Sequence, residues 1–253
     1  MKHSLPLLLA LCLLLASCAG RGGPAGEQAD PIAAARVWNA YLERADNAAE
    51  PYQDALSLRF GREGDTRRVT ALMWGNGERA LRLDVMAGVG VTVAMVAQSG
   101  EHFLIVSPME KKAYFHEGER SPLLRVGVPL PLDLFQLDAL LHGRYQAVFG
   151  TGYAAATTAK AGICFALTDG VGGSLTLDGA GLPAVWENDS WQARLSLDDR
   201  GLVQRLDVAS ARGDRGILLV KERSPHAPFT DEQLRIVIPE GTQVLSLREH
   251  VSR

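Results

Sequence analysis

The residues that most readily carry chemistry in this chain are scattered, and each grouping fails a geometric test. The histidines stand at 3, 102, 116, 142, 226 and 250. No pair has metal-ligand spacing and no cysteine cluster accompanies them, so no metal site is expected. Asp198-Asp199 resembles a carboxylate pair for acid–base work, but Arg200-Gly201 follows, the composition of a hairpin turn. Gly170-Val171-Gly172-Gly173 precedes a strand rather than opening a helix, and no Lys-Ser/Thr follows, so it is no phosphate loop. Ser190 and Ser224 lie in no Gly-x-Ser-x-Gly elbow. Cys164 sits in the apolar run Ile163-Cys164-Phe165-Ala166-Leu167 and reads as a small buried hydrophobe. The expectation is a protein that is not an enzyme and needs no cofactor.

One cysteine is different. Lys2 and His3 precede an apolar run from Leu5 to Leu15, and Leu15-Ala16-Ser17-Cys18 closes it. A basic start, a short apolar stretch and small residues before a cut describe a secretory signal. The Cys directly after Leu-Ala-Ser makes it a lipobox, so Cys18 is expected to carry acyl chains and become the mature N-terminus. Ala19 stands where an inner-membrane retention Asp would be, which favours the outer membrane with the domain facing the periplasm. Residues 1–17 contain Lys2 as their one charged residue, leaving 25 basic and 29 acidic residues and a formal charge of −4. That balance argues against nucleic acid, whose binders cluster Lys and Arg, and offers no polybasic patch for anionic lipid.

The elements behind these residues divide the chain into a signal peptide (1–17), a lipidated Cys with a flexible tether (18–30) and one domain (31–253). Ala19 to Gln28 is Gly-rich, with a root-mean-square span of roughly 15–20 Å. Asp30-Pro31 then opens a helix as N-cap and first residue, and Ile32, Ala35, Val37, Trp38, Tyr41 and Leu42 recur near every 3.6 residues to about Ala49. After Pro51 the period becomes two. Strand runs are expected at 55–60, 67–74, 79–85, 91–97, 102–106 and 112–116, separated by Gly, Asp, Asn or Pro turns, as in an antiparallel meander. A second helix is expected over 132–141, ending at Gly143, and it is apolar enough to need burial against the sheet. Strands resume at 162–168, 174–177, 184–187, 191–197, 202–209 and 216–222, with a last element at 234–238 followed by Val244-Leu245; residues 145–161 carry no firm assignment.

The fold class is therefore mainly β with some α: a strongly curved, unclosed antiparallel sheet of about 11–12 strands, an N-terminal helix and an inserted lid helix. A large curved sheet with an apolar inner face encloses ligand space. The expected lining is Leu58, Phe60, Leu81, Leu83, Val85, Val91, Val93 and Met95 of the early strands with Leu134, Leu137 and Leu141 of the helix. Such aliphatic walls suit acyl chains. The same residues would also line a filled core, which leaves a non-enzymatic envelope scaffold as the alternative.

Gly127-Val128-Pro129-Leu130-Pro131-Leu132, the Leu-rich helix and Gly143 resemble the Gly-x-Pro-x-Pro-Leu … Leu-x-Gly segment of the LolB family, the outer-membrane lipoprotein receptors. Arg82 to Val85, Val89-Gly90 and Val91 to Met95 resemble that family's two strands around a protruding loop. Trp191 opening a strand and the turn from Asp198 to Val203 also fit. Ile238 to Val244 is closer to the ending of the related LolA carriers. The resemblance covers most of residues 31–247. It implies an unclosed barrel with a helical lid that binds the acyl chains of a lipoprotein or lipid, as a monomer anchored in the membrane, receiving cargo from a LolA-like periplasmic carrier. Val89 occupies the position of the family's membrane-inserting loop residue and is smaller than the Leu found there.

Overall fold

The computed structural model describes residues 26–44, 50–62, 64–77, 80–88, 90–118, 122–125 and 128–247. Leu15, Ala16, Ser17, Cys18 and Val89 lie outside the described residues. Helix α1 spans Pro31–Leu42 and starts as its sequence dictates: the Asp30 carboxylate accepts from the Ala33 N–H at 3.0 Å, and Pro31 occupies the first turn. Six strands follow, β1 (Tyr52–Arg62), β2 (Asp65–Gly75), β3 (Ala80–Ala87), β4 (Val91–Ser99), β5 (His102–Ser107) and β6 (Lys112–Glu117), each antiparallel to the one before. Three helices interrupt the sheet: α2 (Pro122–Arg125), α3 (Leu134–Leu141) and α4 (Tyr145–Phe149).

The second meander runs through β7 (Tyr153–Ala159), β8 (Gly162–Leu167), β9 (Ser174–Leu177), β10 (Pro183–Glu187), β11 (Trp191–Leu197), β12 (Val203–Ser210) and β13 (Arg215–Pro225). Strand β13 returns to pair with β1, so the two meanders fuse into one sheet. Helix α5 (Asp231–Leu234) and β14 (Gln243–Ser246) complete the described chain, and β14 pairs parallel with β6. The order is β14-β6-β5-β4-β3-β2-β1-β13-β12-β11-β10-β9-β8-β7, with β14 and β7 at separate edges. The sheet is unclosed, as expected. Segment 27–29 lies along the β7 edge, where the Ala29 N–H donates to Ala156 O and the Thr158 N–H to Glu27 O.

Among the described residues there are fourteen strands against the expected 11–12, and five helices against the expected two. Helix α4 and β7 fall in the segment without an assignment: α4 has only five residues, and the Ala/Thr run of β7 does not alternate. Residues 234–238 are not a strand. They follow α5 across the outer face of the sheet, where Ile236 packs with Val106 and Ala113 while Val237 stays 79% exposed. Helix α3 starts two residues later than the apolar stripe suggests, because Asp133 and Gln136 form a capping box.

Both helices that carry the core are held by the concave face. Leu134, Leu137, Ala139, Leu140 and Leu141 of α3 are all buried, so this helix is apolar around most of its circumference and fills the sheet's interior. At the other half, Trp38 of α1 meets Tyr41, Tyr153 and Phe165 at ring-centroid distances of 4.9, 4.8 and 4.9 Å. The turn between β9 and β10 abuts the same helix, where a Cβ on Gly181 (φ +75°) would stand 2.6 Å from the Tyr41 backbone nitrogen. Trp38→Ala removes the centre of this aromatic cluster and is expected to destabilise the protein by about 4 kcal/mol, measured by denaturant unfolding.

Candidate functional site

Strand β1 runs along two cavities, one apolar and one charged, with α3 between them. Opposite the Ala55–Leu56 step the partner strand β13 carries one extra residue, Lys221, while β1 itself keeps an unbroken register with β2. Leu56, Leu58 and Phe60 face the apolar cavity, and Tyr52 and Asp54 face the charged one. The helix divides in the same way, with Leu137 on the first cavity and Asp138 and its cap His142 on the second.

The apolar cavity holds about 430 Å³ between β1–β6, α3 and the segment before it. Six of the expected lining residues meet there: Leu58, Phe60, Leu83, Val85, Val93 and Leu137. The other five do not. Leu81, Leu134 and Leu141 are fully buried in the packed core beyond the cavity, and Val91 is 53% exposed at the end of β4. Met95 packs on the outer face beside Val106 and Ala113. A bulge explains the last case. Val85 pairs with Ala94 but Met86 pairs with Thr92, so Val93 is an extra residue and the inward parity of β4 switches from odd to even numbers beyond it. Ala94 and Val96 line the cavity in consequence.

Sequence parity also passed over Leu56, Val69, Ala71, Ile105 and Tyr114, which the pairing register brings to the same wall. Val128 and Leu130 of the Pro-rich segment close it from below, and Arg67, Ser107 and Glu110 rim one end. Apolar walls with a few polar groups at one end suit a ligand with a hydrocarbon tail.

The charged cavity, of about 560 Å³, is built on the C-terminus of α3. Asp54 and Asp138 are 0% and 1% exposed. Between them lies His142, with Nε2 3.2 Å from Asp54 Oδ2 and Nδ1 2.9 Å from Asp138 Oδ1. Arg144 donates to the other Asp138 oxygen, and the Tyr52 ring lies 4.1 Å from the imidazole. Arg223 donates to the carbonyls of Leu141 and Val203 and stands 3.5 Å from Asp198. A cation on the last carbonyls of a helix complements its dipole.

Burial alone would push the His142 pKa down, but hydrogen bonds from Asp138 and Asp54 and their charges outweigh it and raise it from 6.5 to about 9. Burial pushes the Tyr52 and Tyr145 hydroxyls up. Nδ1 also lies 2.9 Å from the Asp138 carbonyl oxygen, so the imidazolium meets both carboxylates and the helix backbone and acts as a clamp between α3 and β1. The sequence carried one local sign of it, Asp138 and His142 at i,i+4; Asp54 is remote in sequence and left none. Asp198 caps its own turn by accepting from the Arg200 and Leu202 N–H groups. Cys164 is buried, and no group of His, Cys, Asp and Glu set to hold a metal occurs among the described residues.

Because the folded pKa of His142 lies above its ordinary value, its stabilising contribution is complete below about pH 6.5 and is lost as pH rises through about 9. His142→Gln is expected to destabilise the fold by about 3 kcal/mol near neutral pH and to flatten stability between pH 6.5 and 9, measured by urea unfolding across that range.

No protein-family model and no curated protein sequence matches the chain. Solved structures do. The fold is similar to that of a LolA superfamily protein from Nitrosomonas europaea, with 11% identity, a TM-score of 0.53, and coverage of 81% of this chain and 97% of that one. A DUF1329 family protein from Desulfovibrio piger is similar at 10% identity and a TM-score of 0.54, covering 82% of this chain and 98% of that one. The open curved sheet around buried helices is a LolA-like fold.

Proposed function

We propose that this chain is a membrane-anchored, non-catalytic lipoprotein that binds an acyl chain of a lipoprotein or lipid in its apolar cavity and passes it to the outer membrane. The cavity carries this reading. A methylene takes about the volume of a water molecule, ~30 Å³, so 430 Å³ accommodates a single chain of roughly 14 carbons. An open cavity of this size favours an acyl binder over a scaffold whose interior is filled. Cys18 supplies the anchor after removal of residues 1–17, and Ala19 favours the outer membrane. A LolA-like carrier in the periplasm is the donor this reading implies. Val89, which lies between Gly88 (φ +59°) and Gly90 (φ +79°) in the sequence, is the proposed contact with the bilayer interior.

Displacement of a fluorescent fatty acid from the full chain tests the proposal. Each buried methylene contributes about 0.8 kcal/mol, so shortening a saturated chain by two carbons is expected to weaken binding roughly tenfold until the chain is much shorter than the cavity. Leu137→Glu and Ala94→Trp, one adding a charge to the wall and the other filling it, are both expected to weaken binding at least tenfold. Wild-type affinity in both variants, with unchanged melting temperatures, overturns the acyl-binding role.

A further inference from the structure

The β1–β2, β3–β4, β5–β6 and β12–β13 turns all fall at one end of the sheet, the end where Phe60, Val93 and Arg67 border the apolar cavity. Two segments remote in sequence, 59–68 and 210–216, bring Arg59, Arg62, Arg67, Arg68, Arg212 and Arg215 together there with Asp65 and Asp214; the same segments contain one further acid, Glu63, outside the described residues. That is a local formal charge of +3 in a chain whose total is −3. All six arginines are exposed.

Their placement is not one that stability would select. Arg59 stands directly opposite Arg68 across the β1–β2 ladder, and Gly61 pairs Arg215 on the other side. Like charges in such register repel. Arg62 pairs with Asp214 at 2.9 Å, while Arg59 and Arg68 donate to the neutral hydroxyls of Thr66 and Ser57. At the same end of the sheet, on strands farther along it, two apolar side chains are exposed, Met109 of the β5–β6 turn at 72% and Val91 at 53%. Exposed cations and exposed apolar groups sharing one end of a fold are the composition of a membrane-interface surface.

We propose that this arginine-rimmed end is a docking face for an anionic phospholipid bilayer, which seats the cavity mouth against the headgroups. The guanidinium groups pair with lipid phosphates while Met109 and Val91 enter the interface. Docking needs no cargo, so it stands or falls separately from acyl binding. It also gives orientation, which an N-terminal anchor alone does not.

Hydrogen exchange on the full chain reconstituted in vesicles tests this. In phosphatidylcholine containing about one-third phosphatidylglycerol at low salt, amides of 59–68, 107–112 and 211–215 are expected to exchange severalfold more slowly than in phosphatidylcholine alone. The protection is expected to vanish at high salt and in an Arg59→Glu/Arg212→Glu variant, whose two positions lie outside the cavity wall, while amides of the buried strands and the affinity for a fluorescent fatty acid stay as in the wild type. Equal exchange in the two lipids, or protection that survives the double substitution or high salt, overturns the docking face. Loss of fatty-acid affinity in the cavity variants leaves this outcome unaffected, so the two proposals fail independently.

Discussion

The whole structure follows from one constraint: a helix that is apolar on nearly every side must be surrounded. Helix α3 buries Leu134, Leu137, Leu140 and Leu141 together, and no single flat sheet face could cover them. A long antiparallel sheet that curves around the helix can, and the β1–β13 pairing makes the sheet long enough by fusing two meanders. A closed barrel of this many strands would leave a wide lumen, whereas an open sheet bends onto what it encloses. The apolar cavity is the part of that interior which the helix leaves unfilled beside Leu137.

Holding α3 in place is a matter of charge. Its N-terminus is satisfied by the Asp133–Gln136 box and by Gln98 Oε1, which accepts from the Leu134 N–H at 2.8 Å. Its C-terminus meets Arg223, and its cap His142 is gripped by Asp54 and Asp138. Buried ion pairs contribute less to stability than their Coulomb attraction suggests, since both charges lose water. What they do supply here is position. The charged cluster grips the C-terminal end of the helix, while the apolar cavity meets its flank at Leu137, so the groups that fix the helix and the side chain that borders the cavity are distinct.

Much of this fold was legible in the sequence where side chains alternate. The odd-numbered set Leu81, Leu83 and Val85 does face inward, and Asp30-Pro31 does open a helix. Legibility failed where one local event outweighed the pattern. The extra residue Val93 sends Met95 outward, β7 hides among Ala and Thr, and 234–238 alternates like a strand yet crosses the sheet. It failed most for charge. Neither the Asp54–His142–Asp138 array nor the arginine end exists as a run along the chain; strand register alone assembles them. Composition had excluded a basic patch because it averages over a surface that the fold keeps uneven.

The hydrogen bonds between segment 27–29 and β7 have a mechanical consequence. They cover one of the two open edges, where bare N–H and C=O groups would otherwise recruit a foreign strand. They also fix where the upstream chain leaves the domain. A pull on the chain upstream of residue 26 would reach the sheet along the β7 edge, parallel to the strand, and would load these bonds together in shear rather than peel them one by one.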